Sequence, residues 1–549
     1  MPSMERPRRL ALVADTIRAH RLGLALWAIG GAASMYAVAI VLVREFNSYP
    51  GGAKGLAPTV EAAAQALRVL RWPAERLDTL GGYLTYHNIV LLPLLLGVYC
   101  AIQGAEAVRG AELRGSLEGI LATGLSRVAF MRDTVLGFLV VLVGITVGIG
   151  LGVAAGLAAG GESNTWGALV ATGEAVLCSF TFYALGLLVS QFTRNARSAA
   201  GFTSLVMAVL YVFTNVWDQA GPFAPGRFLS PFFYFQRSRV LVPGQGFDPL
   251  ATLMLVALPA GLLVAAAVAF ARRDYASKLW ARKARPGMYR NVAVQRPWLR
   301  TWWSAGLVRE RLSLLAWSAG AAAFAALVSS LEPTVREMWK KLDFIQTFLG
   351  QNPGISPTDQ YMGFAGGMLA PLAAAYAATH VGGWVGDLKQ GRVELVLTSP
   401  VSWSRLVWER LAGLATGVAV VTVSALLGLS VGAIAVGAPL RPDGLLRVAA
   451  DTILFGLAIG AIGAVLVAWL RSGLAPALLT LFIAASYVLD LFAPAFSWPT
   501  WVARLSVFDS FGQPYIQVPE LAGLVYLGAL ALLGTILAAA VSQRSPKVA

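Results

Sequence analysis

A stretch of twelve residues is written almost twice in this chain. Gly115-Ser-Leu-Glu118-Gly-Ile-Leu121-Ala-Thr-Gly124-Leu-Ser126 returns as Gly391-Arg-Val-Glu394-Leu-Val-Leu397-Thr-Ser-Pro400-Val-Ser402, at an offset of 276 in a chain of 549 residues. Tyr211, Ser230 and Phe232 pair with Tyr487, Ser506 and Phe508 at 276, and Pro58-Thr59-Val60 pairs with Pro333-Thr334-Val335 at 275. Arg21-Leu22-x-Leu24-x-x-Trp27 matches Arg311-Leu312-x-Leu314-x-x-Trp317 at 290, so about 15 extra residues of the first copy fall between Trp27 and Pro58. Repetition in the same order along the chain requires two copies of one fold.

Each copy of the motif is a short polar stretch between long apolar ones. With 57% hydrophobic residues, 13% charged and a mean hydropathy of +0.67, the chain has too little polar surface to cover a soluble core of this size. Apolar runs of roughly 20 residues, enough to cross a bilayer, occur at 22–43, 83–103, 134–158, 166–191, 199–216 and 249–271. The second copy gives 312–331, 362–385, 410–437, 446–469, 475–492 and 521–541. Six spans in each half leave both copies in the same orientation, as parallel repeats. The expected organisation is a first six-span repeat over 1–271, a basic linker over 272–311 and a second repeat over 312–549.

The net charge of +15 raises the possibility of nucleic acid binding, and the placement of the charge argues against it. With the amino terminus inside, 29 of the 43 Lys and Arg fall in inside segments, 11 of them in the linker. The basic excess therefore reports topology, with both termini cytoplasmic, and contact with anionic lipid. Cys100 and Cys178 lie in apolar runs and read as buried small hydrophobes. The first apolar run is too long for a signal peptide and lacks a clear cleavage site, so it reads as a retained span.

Residues 8–21 place Leu10, Val13 and Ile17 against Arg9, Arg18 and Arg21 at helical spacing, the pattern of an interfacial elbow helix. Its counterpart at 296–311 carries Trp298, Trp302 and Trp303 among arginines, suited to a headgroup belt. After each first span an amphipathic helix is expected, with Thr59 and Thr334 as N-caps, burying Val60, Ala64, Leu67 and Leu70 or Val335, Trp339, Leu342 and Ile345. The aromatic, Pro-containing stretches 217–235 and 492–515 are too short to cross and too apolar for ordinary loops. They read as partial helices dipping back into the membrane.

The sequence contains no GxxxxGK[ST] loop to cradle phosphates, no HExxH and no plausible metal cluster, and its only histidines are His20, His87 and His380. Chemistry on a substrate is poorly supported; transport remains, driven by an ion gradient or by a separate ATPase. The paired connectors bear on that choice. Glu112, Glu118, Arg127 and Arg132, with Asp387, Glu394, Arg405 and Arg410, lie between the second and third spans of each half. Glu118-x-x-Leu121 and Glu394-x-x-Leu397 set an acid beside an apolar residue on one helical face, and Gly124 or Pro400 ends that helix.

This arrangement resembles the ABC-2 type exporter permeases, which carry in the same place a Gly, then Glu-x-x-Leu, then a Pro-(Val/Ile)-Ser turn followed by a basic residue. The second copy matches more closely, because the first has Gly124-Leu125 in place of Pro-Val. The six-span order, the elbow and the aromatic re-entrant segments extend the resemblance over essentially the whole chain. In its fused double length and its 36 Arg to 7 Lys the chain is similar to the actinobacterial polyketide-antibiotic, tetronasin-type multidrug exporter permeases. The resemblance implies an all-α polytopic membrane protein of twelve transmembrane helices in two ABC-2 (type V exporter-like) repeats. It also implies residence in the bacterial plasma membrane and a complex with two copies of an ABC ATP-binding subunit, which would hold ATP and Mg; this chain would bind no cofactor or metal. Its coupling helices would comprise Glu112, Gly115, Glu118, Leu121, Ser126 and Arg127, and Asp387, Gly391, Glu394, Leu397, Pro400, Ser402 and Arg405. ATP-driven closure of the partners would push on these connectors and rock the halves open to the outside.

Glu174 and Asp451 fall inside the fourth and tenth spans, where a carboxylate is costly and tends to face a cavity or a partner. Either they bind a cationic substrate or a proton, or they snorkel to the interface. Tyr211, Phe213, Trp217, Tyr487 and Phe492 sit at the ends of the fifth and eleventh spans, as the wall of a path for an amphipathic small molecule or as an interfacial belt. The function expected is efflux of amphipathic drugs, antibiotics or lipid-like compounds by an ATP-driven exporter. The alternative is a proton-coupled twelve-span transporter, favoured by Glu174 and Asp451 but lacking the usual Gly-x-x-x-Asp-(Arg/Lys)-x-Gly-Arg-Arg connector. A membrane-embedded transferase would need clustered acids at one face, where only scattered ones such as Asp78, Asp218 and Asp509 occur.

Overall fold

The computed structural model describes residues 6–66, 74–193, 196–216, 221–273, 301–339, 354–389, 391–398, 401–495 and 499–544. Among them the regular elements are helical and no strand occurs. Eleven helical segments are long and apolar enough to cross a bilayer, as an all-α polytopic membrane protein requires. The remaining expected span, 475–492, lies within the helix Leu474–Ala495, whose described apolar stretch Leu474–Asp490 is the short one. The chain divides into two compact units, Met1–Gly287 and Met288–Ala549.

In the first unit, α1 (Arg6–Ala25) passes through a π turn at Leu26–Gly30 into α2 (Gly31–Ser48). The elbow and first span expected as two elements are thus one rod. Gly30 and Gly31 keep right-handed helical backbone, and a π turn absorbs an extra residue without ending the helix. Val13 and Ile17 are half-buried while Arg18 and Arg21 are exposed, as the amphipathic pattern requires. Next comes α3 (Gly52–Ala66), which starts at the positive-φ pair Gly51 and Gly52 and carries Pro58 inside it, so Thr59 is not its N-cap.

The second span is built from α4 (Leu80–Leu84), a π turn at Thr85–Ile89 and α5 (Leu92–Leu113). The connector helix α6 (Ser116–Ala122) follows, then α7 (Arg127–Ala159), α8 (Thr165–Ser190) and α9 (Ala196–Val216). A 3-10 segment Gly221–Leu229, the short α10 (Pro231–Phe235) and the sixth span α11 (Pro249–Arg272) complete the unit. Its core stacks Phe138 on Tyr183, ring centroids 4.4 Å apart.

The second unit runs α12 (Trp302–Ser330), α13 (Glu332–Trp339), α14 (Pro357–Gly367), α15 (Leu369–Lys389), the connector α16 (Arg392–Leu397), α17 (Trp403–Ala435) and α18 (Pro442–Leu470). It ends with α19 (Leu474–Ala495), α20 (Thr500–Ala503) and α21 (Leu521–Arg544). Again elbow and first span are one helix, so α12 crosses the boundary expected at residue 312. Thr334 lies inside the first turn of α13, which starts at Glu332, an acid suited to a helix N-terminus. The expected contacts of Leu67, Leu70, Leu342 and Ile345 lie outside the described residues.

The two units share detailed geometry. A Cβ on Gly152 of α7 would collide with Ala32 of α2, and one on Gly428 of α17 would collide with Ala322 of α12. Those four residues stand at the two sequence offsets, 276 and 290, so within each unit the first span presses on the third at the same place. Thr79 caps Gly82 N at 3.1 Å where Ser356 caps Asp359 N at 3.1 Å. Trp27 and Tyr99, 6.1 Å between centroids, match Trp317 and Tyr376 at 5.9 Å.

Candidate functional site

The repeated motif resolves into architecture and surface. Gly115 and Gly391 precede the connector helices at φ 72 and φ 66, a left-handed backbone that favours glycine and turns the chain sharply off the second span. Ser126 and Ser402 cap the third spans, each accepting from the N–H three residues on, Ala129 or Arg405, at 3.2 Å. Leu117 and Val393, both 1% exposed, anchor the connectors into their units. Their neighbours Glu118 and Glu394 are exposed, Leu121 and Leu397 are half-buried, and Leu395 is bare. Gly124 makes its turn at φ 86; Pro400 lies outside the described residues.

Glu112 and Asp387 are not on that surface. Glu112 sits between two buried guanidinium groups, Arg109 at 2.8 Å and Arg273 at 2.5 Å. Arg109 also donates to the carbonyls of Ser190 and Thr193, and Arg273 to Gln191 Oε1 at 2.8 Å. Arg127 reaches the Arg273 carbonyl at 2.6 Å and lies over Phe270. Cations at the carbonyl ends of α8 and α11 complement the helix dipoles, and the network welds the ends of α5, α8 and α11 to the start of α7.

The second unit reaches a similar result with other residues. Asp387 gathers Arg309 at 3.0 Å from α12, Arg392 at 3.2 Å from the connector helix and Arg410 at 3.5 Å from α17. Arg410 lies over the rings of Trp302 and Trp384, while Glu409 accepts from Trp302 N at 2.5 Å and pairs with Arg405 at 2.8 Å. Trp302 and Trp303 therefore hold protein groups; Trp303 Nε1 donates to Thr416.

Glu174 is buried, accepts from Thr252 Oγ1 at 2.6 Å and so ties α8 to α11. Asp451 is 4% exposed in α18. Tyr211 and Tyr487 pack edge-on against Phe232 and Phe508 beneath the segment that follows the fifth span of each unit. Phe213 is half-buried, and Trp217 and the side chain of Phe492 lie outside the described residues.

Residues 302–542 match the family model described as "Multidrug efflux system permease Rv1217c, C-terminal domain". The match begins at the first residue of α12 and ends within α21, so it takes in nearly all of the second unit's helices. No curated protein matched the chain.

Sequence reasoning missed Arg109, Arg273, Gln191 and Arg309 as members of these clusters, and Leu117 and Val393 as anchors. The signal available was charge within an apolar run: Arg109 stands only four residues inside the end of α5.

Proposed function

We propose that this chain is the membrane permease of an exporter that effluxes amphipathic compounds, powered by two copies of a separate ATP-binding subunit that dock on the connector helices. The observation that carries the efflux reading is the match of the second unit to a multidrug efflux permease model. The docking reading rests on connectors that expose Glu118 and Glu394 while fixing Leu117 and Val393 inside. A helix anchored on one side and acidic on the other suits a cleft with complementary charge.

The ion clusters supply the transmission. A push on α6 would reach α5 and α7 through adjoining backbone, and Glu112 and Arg127 would pass it to α8 and α11. In the second unit Arg392 ties α16 itself to Asp387. Buried ion clusters that tie several helix ends together carry displacement as geometry, so ATP energy spent by the partners would appear as movement of span ends. Under this reading the chain itself hydrolyses nothing, the ATP and Mg sit on the partners, both termini are cytoplasmic and the membrane is a bacterial plasma membrane.

Purification from native membrane tests it. Two ATP-binding subunits are expected per chain, lost on Glu118→Arg with Glu394→Arg; a chain that purifies without any ATPase contradicts it. A proton-coupled transporter is the second reading, favoured by the buried Glu174 and Asp451.

A further inference from the structure

The first unit holds a cavity of about 1180 Å³ bounded by α1, α5, the connector helix α6 and α7. Ligand pockets run to roughly 300–1,000 Å³, so this space, which opens at the surface of the unit, is large enough for a drug-sized molecule. One wall is a stripe of α5: Tyr99, Gln103 and Glu106 recur at helical spacing. Gln103 and Glu106 make no hydrogen bond or ion pair among the described residues, and the Tyr99 hydroxyl is buried without a partner. Of these groups the Tyr99 hydroxyl is the buried one, and a buried hydroxyl without a partner calls for an explanation.

Their order along the helix sorts the chemistry. Tyr99 lies four residues, about 6 Å at 1.5 Å per residue, inside the connector-side end expected for the second span at residue 103. The groups at that end, Gln103, His20 and Thr134, are hydrogen-bonding residues that share the lining with the rings of Tyr99 and Tyr183. Of the acidic and basic lining residues, Glu106 and Arg114 stand nearer the connector, and Asp15 lies five residues before His20 on α1. The connector's Ile120, Thr123 and Leu125 form part of the same lining, while Glu118 on that helix points to solvent.

The matching positions of the second unit are packed by contact. Tyr376 and His380 stand where the first unit has Tyr99 and Gln103, at offset 277, and Glu310 stands where it has His20, at 290. His380 Nδ1 is 2.9 Å from Glu310 Oε2, and its ring packs against Tyr376 at 5.9 Å and Trp384 at 5.6 Å. Trp384 replaces Ala107, which lines the cavity. One small residue in the first unit thus stands where the second carries an indole.

We propose that the first unit's cavity binds one amphipathic molecule, its uncharged hydrogen-bonding part against Gln103 and His20 and its wetter end beside Glu106 and Arg114. Naming the occupant as cargo rests on the efflux reading; a membrane lipid has the same chemistry. Either occupant touches the inner side of the connector helix whose outer side is proposed to meet the ATPase.

The test uses the full chain in detergent, Nile red as an uncharged amphipathic probe, and native mass spectrometry to weigh what is bound. Wild type is expected to take up one Nile red, and Ala107→Trp to lose affinity about tenfold or more. Gln103→Leu, which keeps the volume, guards against a misfolded tryptophan variant and is expected to weaken binding severalfold. A phospholipid that copurifies with wild type, blocks the dye until removed and is absent from Ala107→Trp identifies a lipid occupant and supports the site. Equal dye binding by wild type and both variants overturns it. Because no ATP or partner is present, that failure leaves the exporter reading untouched.

Discussion

Phe232 stands edge-on to Tyr211, ring centroids 5.2 Å apart at 78°, and Phe508 meets Tyr487 in the same way at 5.3 Å and 71°. Ser230 Oγ donates to the Leu210 carbonyl at 3.5 Å, and Ser506 Oγ to the Ser486 carbonyl at 2.8 Å. In each unit, therefore, an aromatic pair and a serine hydroxyl twenty residues from its acceptor help to dock the segment after the fifth span onto that span. They are joined by Thr214 Oγ1 donating to Ser230 Oγ at 2.6 Å in the first and by Val507 N donating to Ser486 Oγ at 3.0 Å in the second. These contacts explain why Tyr, Ser and Phe recur at a single offset, and they give the two tyrosines a packing role whether or not cargo passes nearby.

Removing the ring tests that docking. Phe232→Ala and Phe508→Ala, at positions 1% and 6% exposed, are expected to cost about 3–5 kcal/mol each. Thermal unfolding in detergent should show it, with Phe228→Ala, 49% exposed, as a near-neutral control.

Burial separates the acids of the connector region. Glu112→Ala strands two buried guanidinium groups and is expected to cost about 3–5 kcal/mol, whereas exposed Glu118→Ala should stay within about 0.5 kcal/mol. If docking is as proposed, the second variant nonetheless loses ATPase association. Paired stability and pull-down measurements read both effects, and a stable Glu112→Ala would contradict the cluster's role.

Backbone geometry alone should penalise Gly115→Ala. No atom lies within 4 Å of a Cβ placed there, so the cost, about 1–2 kcal/mol, comes from φ 72. Gly115→Asn, which tolerates that region better, should recover part of it in the same unfolding assay.

Acid sensitivity has a local source outside the spans. Asp248 caps α11 through Leu250 N and Ala251 N and pairs with Arg237 at 2.7 Å. The Ala251 N–H, then the Arg237 guanidinium, hold its carboxyl below the usual range. A depressed folded-state pKa means the unfolded chain takes the proton first. The stabilisation is therefore complete above the unfolded value of about 4 and fades as pH falls through the folded value. Asp248→Ala should lower the melting point by about 1 kcal/mol of capping at neutral pH and flatten its decline in acid; an unchanged acid slope would contradict the assignment.

Much of the fold was legible because bilayer physics is blunt: apolar runs of span length become helical segments, although the second span of each unit is interrupted within its length. Boundaries were less legible where glycine reads as a breaker. Gly30 and Gly31 stay helical, while the second span of each unit breaks at Val90–Leu91, just before Pro93, and at Met368, just after Gly366-Gly367. At the site, a helix-ending turn was legible at Gly124, which the structure places at φ 86, whereas the left-handed turns at Gly115 and Gly391 and the caps at Ser126 and Ser402 were not. Glu112 and Asp387 looked equivalent to Glu118 and Glu394 because sequence spacing does not reveal that Arg273, 161 residues away, or Arg410 closes over the former pair. The cavity was invisible for the same reason: Ala107 and Trp384 occupy matched positions, and only packing turns that difference into volume.

Transport by the purified complex in sealed vesicles, with ATP and the proton gradient varied independently, tests the central claim most directly. The account predicts dye efflux that requires ATP, survives collapse of the proton gradient and disappears in Glu118→Arg with Glu394→Arg. Efflux that continues without ATP and stops when the gradient is collapsed would contradict it.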